Sequence, residues 1–211
     1  MRYRISGPSA LKIIIGLTLA VSLASAGSVF GGSTAGQDVR PAGWAQPVPS
    51  AVLPNWYRID EGLYRSRQPD RKGFEEAKKK GIRTVVNLRS GHSDAKLVEG
   101  LGLNLVEIPM DAGSFTEDHI LRALKAIRES PKPVLIHCEH GADRAGVVSA
   151  AYRVVVQGWS KGEAIAELKK GGFGFHWIYL NIPSFIKHMD VSRFQARLAA
   201  AGTSADPLQT R

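Results

Sequence analysis

Cys138 is the only cysteine in 211 residues. No internal disulfide can form, and no zinc site can be built on paired cysteines. Lysine and arginine outnumber the acids, for a net charge of +9. Yet no basic run is long enough to track a nucleic-acid backbone. The densest cluster, Lys78-Lys79-Lys80, reads as the solvated end of a helix. The charge favours anionic partners in general and carries no nucleic-acid signature. No internal repeat occurs. Hydrophobic residues make up 44% and charged residues 22%, which at this length suits the core of one globular domain.

The N-terminus carries a different pattern. Arg2, Arg4 and Lys12 are positive, Ile13 to Leu23 is apolar, and Ala24-Ser25-Ala26 has the small-x-small form of a cleavage site. That order marks residues 1–26 as a secretory signal peptide. The alternative is an uncleaved anchor. The apolar stretch reaches about 18 residues, the lower limit of a span, only by absorbing serines and glycine. Either reading places the domain across a membrane: exported, and periplasmic or secreted. Any membrane association is through the leader alone. Residues 27–54, rich in Gly, Ser, Pro and Ala, read as a flexible linker. The folded domain is expected over 55–195, and residues 196–211 as a disordered tail.

Within the domain, strands alternate with helices. A hairpin is expected across Asp60-Glu61-Gly62. A helix over Gly73–Lys80 ends at Gly81, and β-branched residues make a strand of Arg83–Leu88. A helix over Ser93–Gly100 follows, then a strand over Leu103–Ile108, stopped by Pro109. Ser114 and Glu117 read as a capping box for a helix reaching Glu129. Pro133–His137 is a short buried strand, and Arg144–Gln157 an apolar, central helix. Ser160 and Glu163 cap another, and the last helix covers Ile182–His188. This order predicts a single α/β domain with a central, mostly parallel sheet flanked by helices.

The chemistry concentrates in Val134-Leu135-Ile136-His137-Cys138-Glu139-His140-Gly141-Ala142-Asp143-Arg144-Ala145-Gly146. A buried strand runs into a loop, and the loop into a helix. The loop amides of Glu139, His140, Gly141, Ala142 and Asp143, with the positive end of the helix, suit a tetrahedral dianion. Cys138 lies at the floor of that field and reacts as the thiolate. Arg144, six residues on, can fold back and grip two phosphate oxygens with its planar fork. In-line attack by sulfur, stabilisation of the equatorial oxygens and hydrolysis of a phosphocysteine follow, with no cofactor or metal required. Gly141 frees the backbone to approach the ligand or to take a positive φ. His137 reads as a structural hydrogen bonder. A metal site of His137, Cys138 and His140 is awkward on so tight a loop.

These residues resemble the cysteine-dependent protein tyrosine and dual-specificity phosphatase superfamily, with its His-Cys-x5-Arg signature. The likeness extends to Gly62-Leu63-Tyr64-Arg65-Ser66-Arg67-Gln68-Pro69 and Gly81-Ile82-Arg83-Thr84-Val85-Val86-Asn87-Leu88-Arg89. Both are similar to the compact, atypical dual-specificity-like branch, with its bacterial exported members and eukaryotic inositol-pyrophosphate phosphatases. The resemblance covers Trp56 to Val191. It implies phosphorylated proteins or inositol phosphates as substrates. It also implies a general-acid Asp on a loop upstream, for which Asp111 has the right position; Asp118 and Glu117 are rivals explained by capping. Ala145 departs from the family, which has Ser or Thr there, and its lack of a hydroxyl implies slower phosphocysteine hydrolysis. Asp143 is a weak hint of inositide-type substrates. Arg65, Arg67, Arg89 and Lys96 are candidates for lining the mouth. Gly172-Phe173-Gly174-Phe175-His176-Trp177 either packs beside the loop or joins the last two helices in the core. Two other functions stay open: a rhodanese-like sulfurtransferase and a non-catalytic phosphate-binding module.

Overall fold

A computed structural model describes residues 40–201. The leader, residues 27–39 and residues 202–211 lie outside the described residues. The strands are β1 (Gln46–Pro47), β2 (Tyr57–Asp60), β3 (Leu63–Ser66), β4 (Thr84–Arg89), β5 (Asn104–Met110) and β6 (Val134–His137). They form one sheet in the order β1-β2-β3-β6-β4-β5. From β3 onward the neighbours are parallel, and the β1-β2-β3 side is an antiparallel meander. The helices are α1 (Arg71–Lys79), α2 (Ala95–Val98), α3 (Glu117–Glu129), α4 (Asp143–Val155), α5 (Lys161–Lys170), α6 (Asn181–His188) and α7 (Val191–Ala201). The expected α/β domain with a mostly parallel, helix-flanked sheet is the fold observed.

Period-2 alternation decides which face each residue serves. Val86, Leu88, Val134 and Ile136 point into a large core shared with Ile120, Leu124, Val147, Val148, Ile182 and Phe194 from α3, α4, α6 and α7. Val85 and Leu135, one residue out of phase, face Phe74, Ala77 and Val98 from α1 and α2, with Leu53 and Trp56. Every residue of β6 is buried, as a central parallel strand covered on both faces requires. Helix α4 is buried on almost all sides because it lies between the sheet and its fellow helices.

Several boundaries move. The folded region begins well before residue 54: β1 pairs with β2, and Ala45 and Leu53 are buried. Arg40 donates to Ala45 O at 2.6 Å and to Gly171 O at 2.7 Å. A Pro- and Gly-rich composition reads as linker, but long-range partners pin this stretch. The expected disordered tail from 196 is helical to Ala201, because Phe194 and Leu198 supply α7 with an apolar side that enters the core. Pro109 does not stop β5; it lies inside it. β5 is an edge strand paired only to β4, where a missing N–H is tolerated. The capping box of α3 is Thr116 with His119, not Ser114 with Glu117. The Ser160–Glu163 box on α5 and the positive φ of Gly81 after α1 are as expected.

One buried ion pair fastens the helices to the N-terminal stretch. Arg153 on α4 donates from Nε and Nη2 to both oxygens of Glu167 on α5, at 2.9 and 2.8 Å. Glu167 also accepts the backbone N–H of Ala45 at 2.6 Å. The Arg153 guanidinium lies 4.2 Å from the ring centroid of Trp159. Removing one partner strands a buried charge and an N–H. Glu167→Ala is expected to lower stability by about 3–5 kcal/mol, read as a fall in the urea midpoint; an unchanged midpoint would show the pair to be dispensable.

Candidate active site

Parallel pairing sends the C-terminal ends of β3, β4, β5 and β6 to one edge of the sheet, where α/β folds place their sites. Gln68, Ser90, Asp111 and Cys138 follow those four strands in turn, so segments far apart in sequence meet at one rim.

The loop from Glu139 to Ala142 is held by its carbonyls. Glu139 O accepts from Gln68 N at 3.3 Å. His140 O accepts from Asn55 Nδ2 at 2.8 Å. Gly141 O and Ala142 O both accept from Arg65 Nη2, at 2.6 and 3.2 Å. In a trans peptide the carbonyl and the next N–H point in opposite directions. Four consecutive carbonyls tied outward therefore turn the N–H groups of His140, Gly141, Ala142 and Asp143 the other way. Among the described residues no acceptor takes those four N–H groups. The start of α4 adds its dipole, and no side chain caps it. The result is a row of preset donors suited to an oxyanion, with the buried Cys138 at its beginning.

Gly141 makes the turn possible. Its φ is +72°, and a Cβ there would lie 2.6 Å from the backbone of Ser66 and Arg67. The positive φ read as one of two options in the sequence is the one adopted.

Arg65 corrects an expectation. It does not line the mouth; it is a buried pillar beneath the loop. Its guanidinium stacks 3.9 Å from the ring centroid of Phe173. Burial pushes its pKa down to about 10, partly offset by the negative charges of Cys138 and Glu167, so it remains a cation at neutral pH. Arg67 and Lys96 are exposed. Arg89 is half-buried and donates to Gln68 Oε1 at 3.1 Å.

A second support lies on the other face. His137 is fully buried, and its Nε2 donates to Asp94 Oδ2 at 2.7 Å. Gln68 Nε2 donates to Asp94 Oδ1 at 2.8 Å, and the His137 ring meets Phe74 edge to face. His137 is thus the structural hydrogen bonder anticipated. Burial alone would raise the Asp94 carboxyl, but the bonds and charge of His137 and the bond from Gln68 hold it below its ordinary value.

Asp143 joins the loop to the segment after α5. Its carboxylate accepts the backbone N–H of His176 at 3.0 Å and His176 Nδ1 at 2.7 Å. Phe173 and Phe175 enter the core, while Trp177 is exposed. Both readings of residues 172–177 are therefore realised: the segment packs beside the loop and contributes to the core. Among the described residues, His140, Asp143 and His176 also form a group of metal-ligating side chains. Arg144 is mostly covered and reaches back over the loop to Glu139, with Nη2 3.5 Å from Oε2. Asp111 is exposed just after β5, and its Oδ1 accepts from the Ser90 hydroxyl. Asn181 Nδ2 donates to the neighbouring Ala112 O at 2.8 Å. A cavity of about 310 Å³ lined by Trp56, Arg58, Tyr64 and residues of β1 contains none of these groups.

Asn55 and Asp94 carry no motif, and Gln68 and His176, though they lie in segments marked by the sequence, have no individual role legible there. Asn55 had one signal in retrospect, a tolerance for the left-handed backbone it adopts at φ 53°.

The depressed pKa of Asp94 has a sign. Its carboxylate stabilises the fold above the unfolded value of about 3.9 and loses that contribution as pH falls through the lower folded value. Asp94→Asn is expected to cost about 1–3 kcal/mol near neutral pH. The gap from wild type should close below about pH 4; urea midpoints measured across pH 3–7 check this, and a gap independent of pH would contradict it.

Similarity to known proteins agrees with this geometry. A family model described as "Polymorphic toxin system, DSP-PTPase phosphatase" matches residues 60–158. The chain is 32% identical over 170 residues to the dual specificity protein phosphatase TpbA of Pseudomonas aeruginosa (strain UCBPP-PA14), covering 80% of this chain and 76% of that protein. A crystal structure of P. aeruginosa TpbA in complex with pTyr is similar with a TM-score of 0.66 at 31% identity, covering 76% of this chain and 98% of that one. The chain is 25% identical over 146 residues to inositol diphosphatase DSP3 of Arabidopsis thaliana, covering 65% and 70% of the two. With a relative of 32% identity matched over 76% of its own length, this chain belongs to the dual-specificity protein phosphatase family.

Proposed function

We propose that this phosphatase hydrolyses phosphomonoesters through a phosphocysteine intermediate. The observation that carries the reading is the row of four outward-tied carbonyls, which leaves the amides of residues 140–143 directed together beside Cys138. The Cys138 thiolate attacks phosphorus in line, an S–P bond forms and the P–O bond to the leaving group breaks. Arg144 and the loop amides stabilise the equatorial oxygens. To do so, Arg144 exchanges its surface partner Glu139 for the phosphoryl group. Asp111 donates a proton to the leaving oxygen, then takes one from the water that cleaves the S–P bond and releases Cys138. Charge is stabilised throughout by protein groups, so turnover needs no metal.

The substrates proposed are phosphotyrosine, phosphoserine or phosphothreonine proteins, or inositol phosphates. The pTyr bound by TpbA and the inositol diphosphatase relative support those two classes. Neither alternative function has a specific observation in its favour. Ala145 occupies the first turn of α4 and is fully buried, so no hydroxyl at that position assists thiolate departure.

Export belongs to the same proposal and rests on residues 1–26. Among the described residues no helix is long and apolar enough to cross a membrane. Intact-mass measurement of the protein from a cell envelope fraction is expected to give a chain beginning at Gly27; a chain retaining residues 1–26 would favour the anchor.

Hydrolysis of p-nitrophenyl phosphate is the direct assay. Wild-type activity should survive EDTA, Cys138→Ser should reduce it to background, and Asp111→Asn should lower kcat about 10²–10⁴-fold. Stopped-flow traces should show a burst of p-nitrophenol followed by slow turnover, and Ala145→Thr should raise the steady rate. Loss with EDTA, or a fully active Cys138→Ser, would overturn the mechanism.

A further inference from the structure

The charged loop has a second cluster on its rim that the phosphatase reaction leaves unused. One imidazole nitrogen each from His140 and His176 and one carboxylate oxygen of Asp143 lie within 4.8 Å of one another. His140 and His176 come from segments 36 positions apart. Both segments are anchored by a single side chain: Asn55 Nδ2 donates to His140 O at 2.8 Å and to Phe173 O at 2.9 Å. Asp143 is buried and already oriented by two bonds from His176. The His140 and His176 rings stand with centroids 5.2 Å apart, edge to face. Half of the side chain of His176 and the ring of His140 are open to solvent, so the group is accessible.

We infer that His140, Asp143 and His176 form a binding site for a borderline divalent cation of the Zn²⁺ class. Two imidazoles and one carboxylate are the donors such an ion prefers over hard Mg²⁺ or Ca²⁺. Tetrahedral zinc with bonds of about 2.0–2.1 Å needs its ligand atoms about 3.4 Å apart. His176 Nδ1 and Asp143 Oδ2 are 2.7 Å apart, and the exposed His140 ring closes the remainder by rotating. On binding, the cation takes the place of the Nδ1 proton of His176. That proton passes through solvent to Nε2, so the ring stays a neutral imidazole, and the hydrogen bond becomes two metal–ligand bonds. The fourth position is left to water or to an oxyanion. Asp143 and the nearby Glu139 supply negative charge against Arg144. The site departs from the expectation that this protein holds no metal. It does not depend on the proposed mechanism, because turnover there is metal-independent.

The test is calorimetric titration of the purified full chain with ZnCl₂, in the Cys138→Ser background so that the thiolate cannot serve as the ligand. The expected result is one Zn²⁺ per chain, with affinity weakened tenfold or more by His140→Ala and by His176→Ala. Among the described residues the His140 ring makes no hydrogen bond, so His140→Ala should retain the wild-type melting temperature and decides the matter if His176→Ala does not fold. Zinc K-edge absorption should show nitrogen and oxygen neighbours only. No binding, binding that vanishes in Cys138→Ser, or binding indifferent to His140→Ala would each overturn the site. p-Nitrophenyl phosphate turnover of the metal-free chain is measured separately and tells a failure of this site from a failure of the phosphatase mechanism.

Discussion

A single buried cation organises the rim of this sheet. Arg65, on β3, sits under the loop and gathers the carbonyls of Gly141 and Ala142. Because carbonyl and N–H oppose each other across a peptide plane, this pull sets where the amides point. Keeping a guanidinium in the interior is costly, and its pKa falls to about 10 as a result. Phe173 offsets part of that cost through its ring face, and the carbonyls of Gly141 and Ala142 take up Nη2, while Nε has no hydrogen-bond partner among the described residues. The donor row beside Cys138 is therefore a consequence of a charge that takes no part in the proposed reaction.

The supports around it share one logic. Asn55 and Gln68 tie the next two carbonyls back, Asp94 fixes His137 before the cysteine, and Asp143 draws the 172–177 segment against the loop. Each joins elements distant in sequence, so the loop is held from several directions before any ligand arrives. Preset dipoles of this kind need no reorganisation when charge develops in a transition state. Arg144 is the exception. It rests on the half-exposed Glu139 at 3.5 Å, a pair weak enough to be exchanged for a phosphoryl group in the proposed reaction.

Much of the fold was legible because its signals are local. The all-apolar Val134–Ile136 declares a strand covered on both faces, and Ser160 with Glu163 declares a helix start. Misreadings came where distant partners override local signals. Pro109 ends a central strand but is tolerated on an edge, and sequence does not say which strand is the edge. Residues 40–53 have linker composition, yet Glu167 and Gly171 hold their start. Thr116 displaced Ser114 as the cap because the loop after β5 spends two more residues before the helix begins.

The sequence by itself determined the groups on which the proposed chemistry rests: one cysteine, an arginine six residues on, and a strand-loop-helix frame that brings the two to one loop. Those choices depend on spacing of a few residues, which the chain cannot escape in any fold. The tertiary structure alone decided what surrounds them. It made Arg65 a pillar rather than a wall, paired Asp94 with His137 across 43 positions, and set His176 against Asp143 across 33. Hydrogen bonds between side chains so far apart leave no periodicity or motif in the sequence. They exist only once parallel strands have carried their C-terminal ends to the same edge.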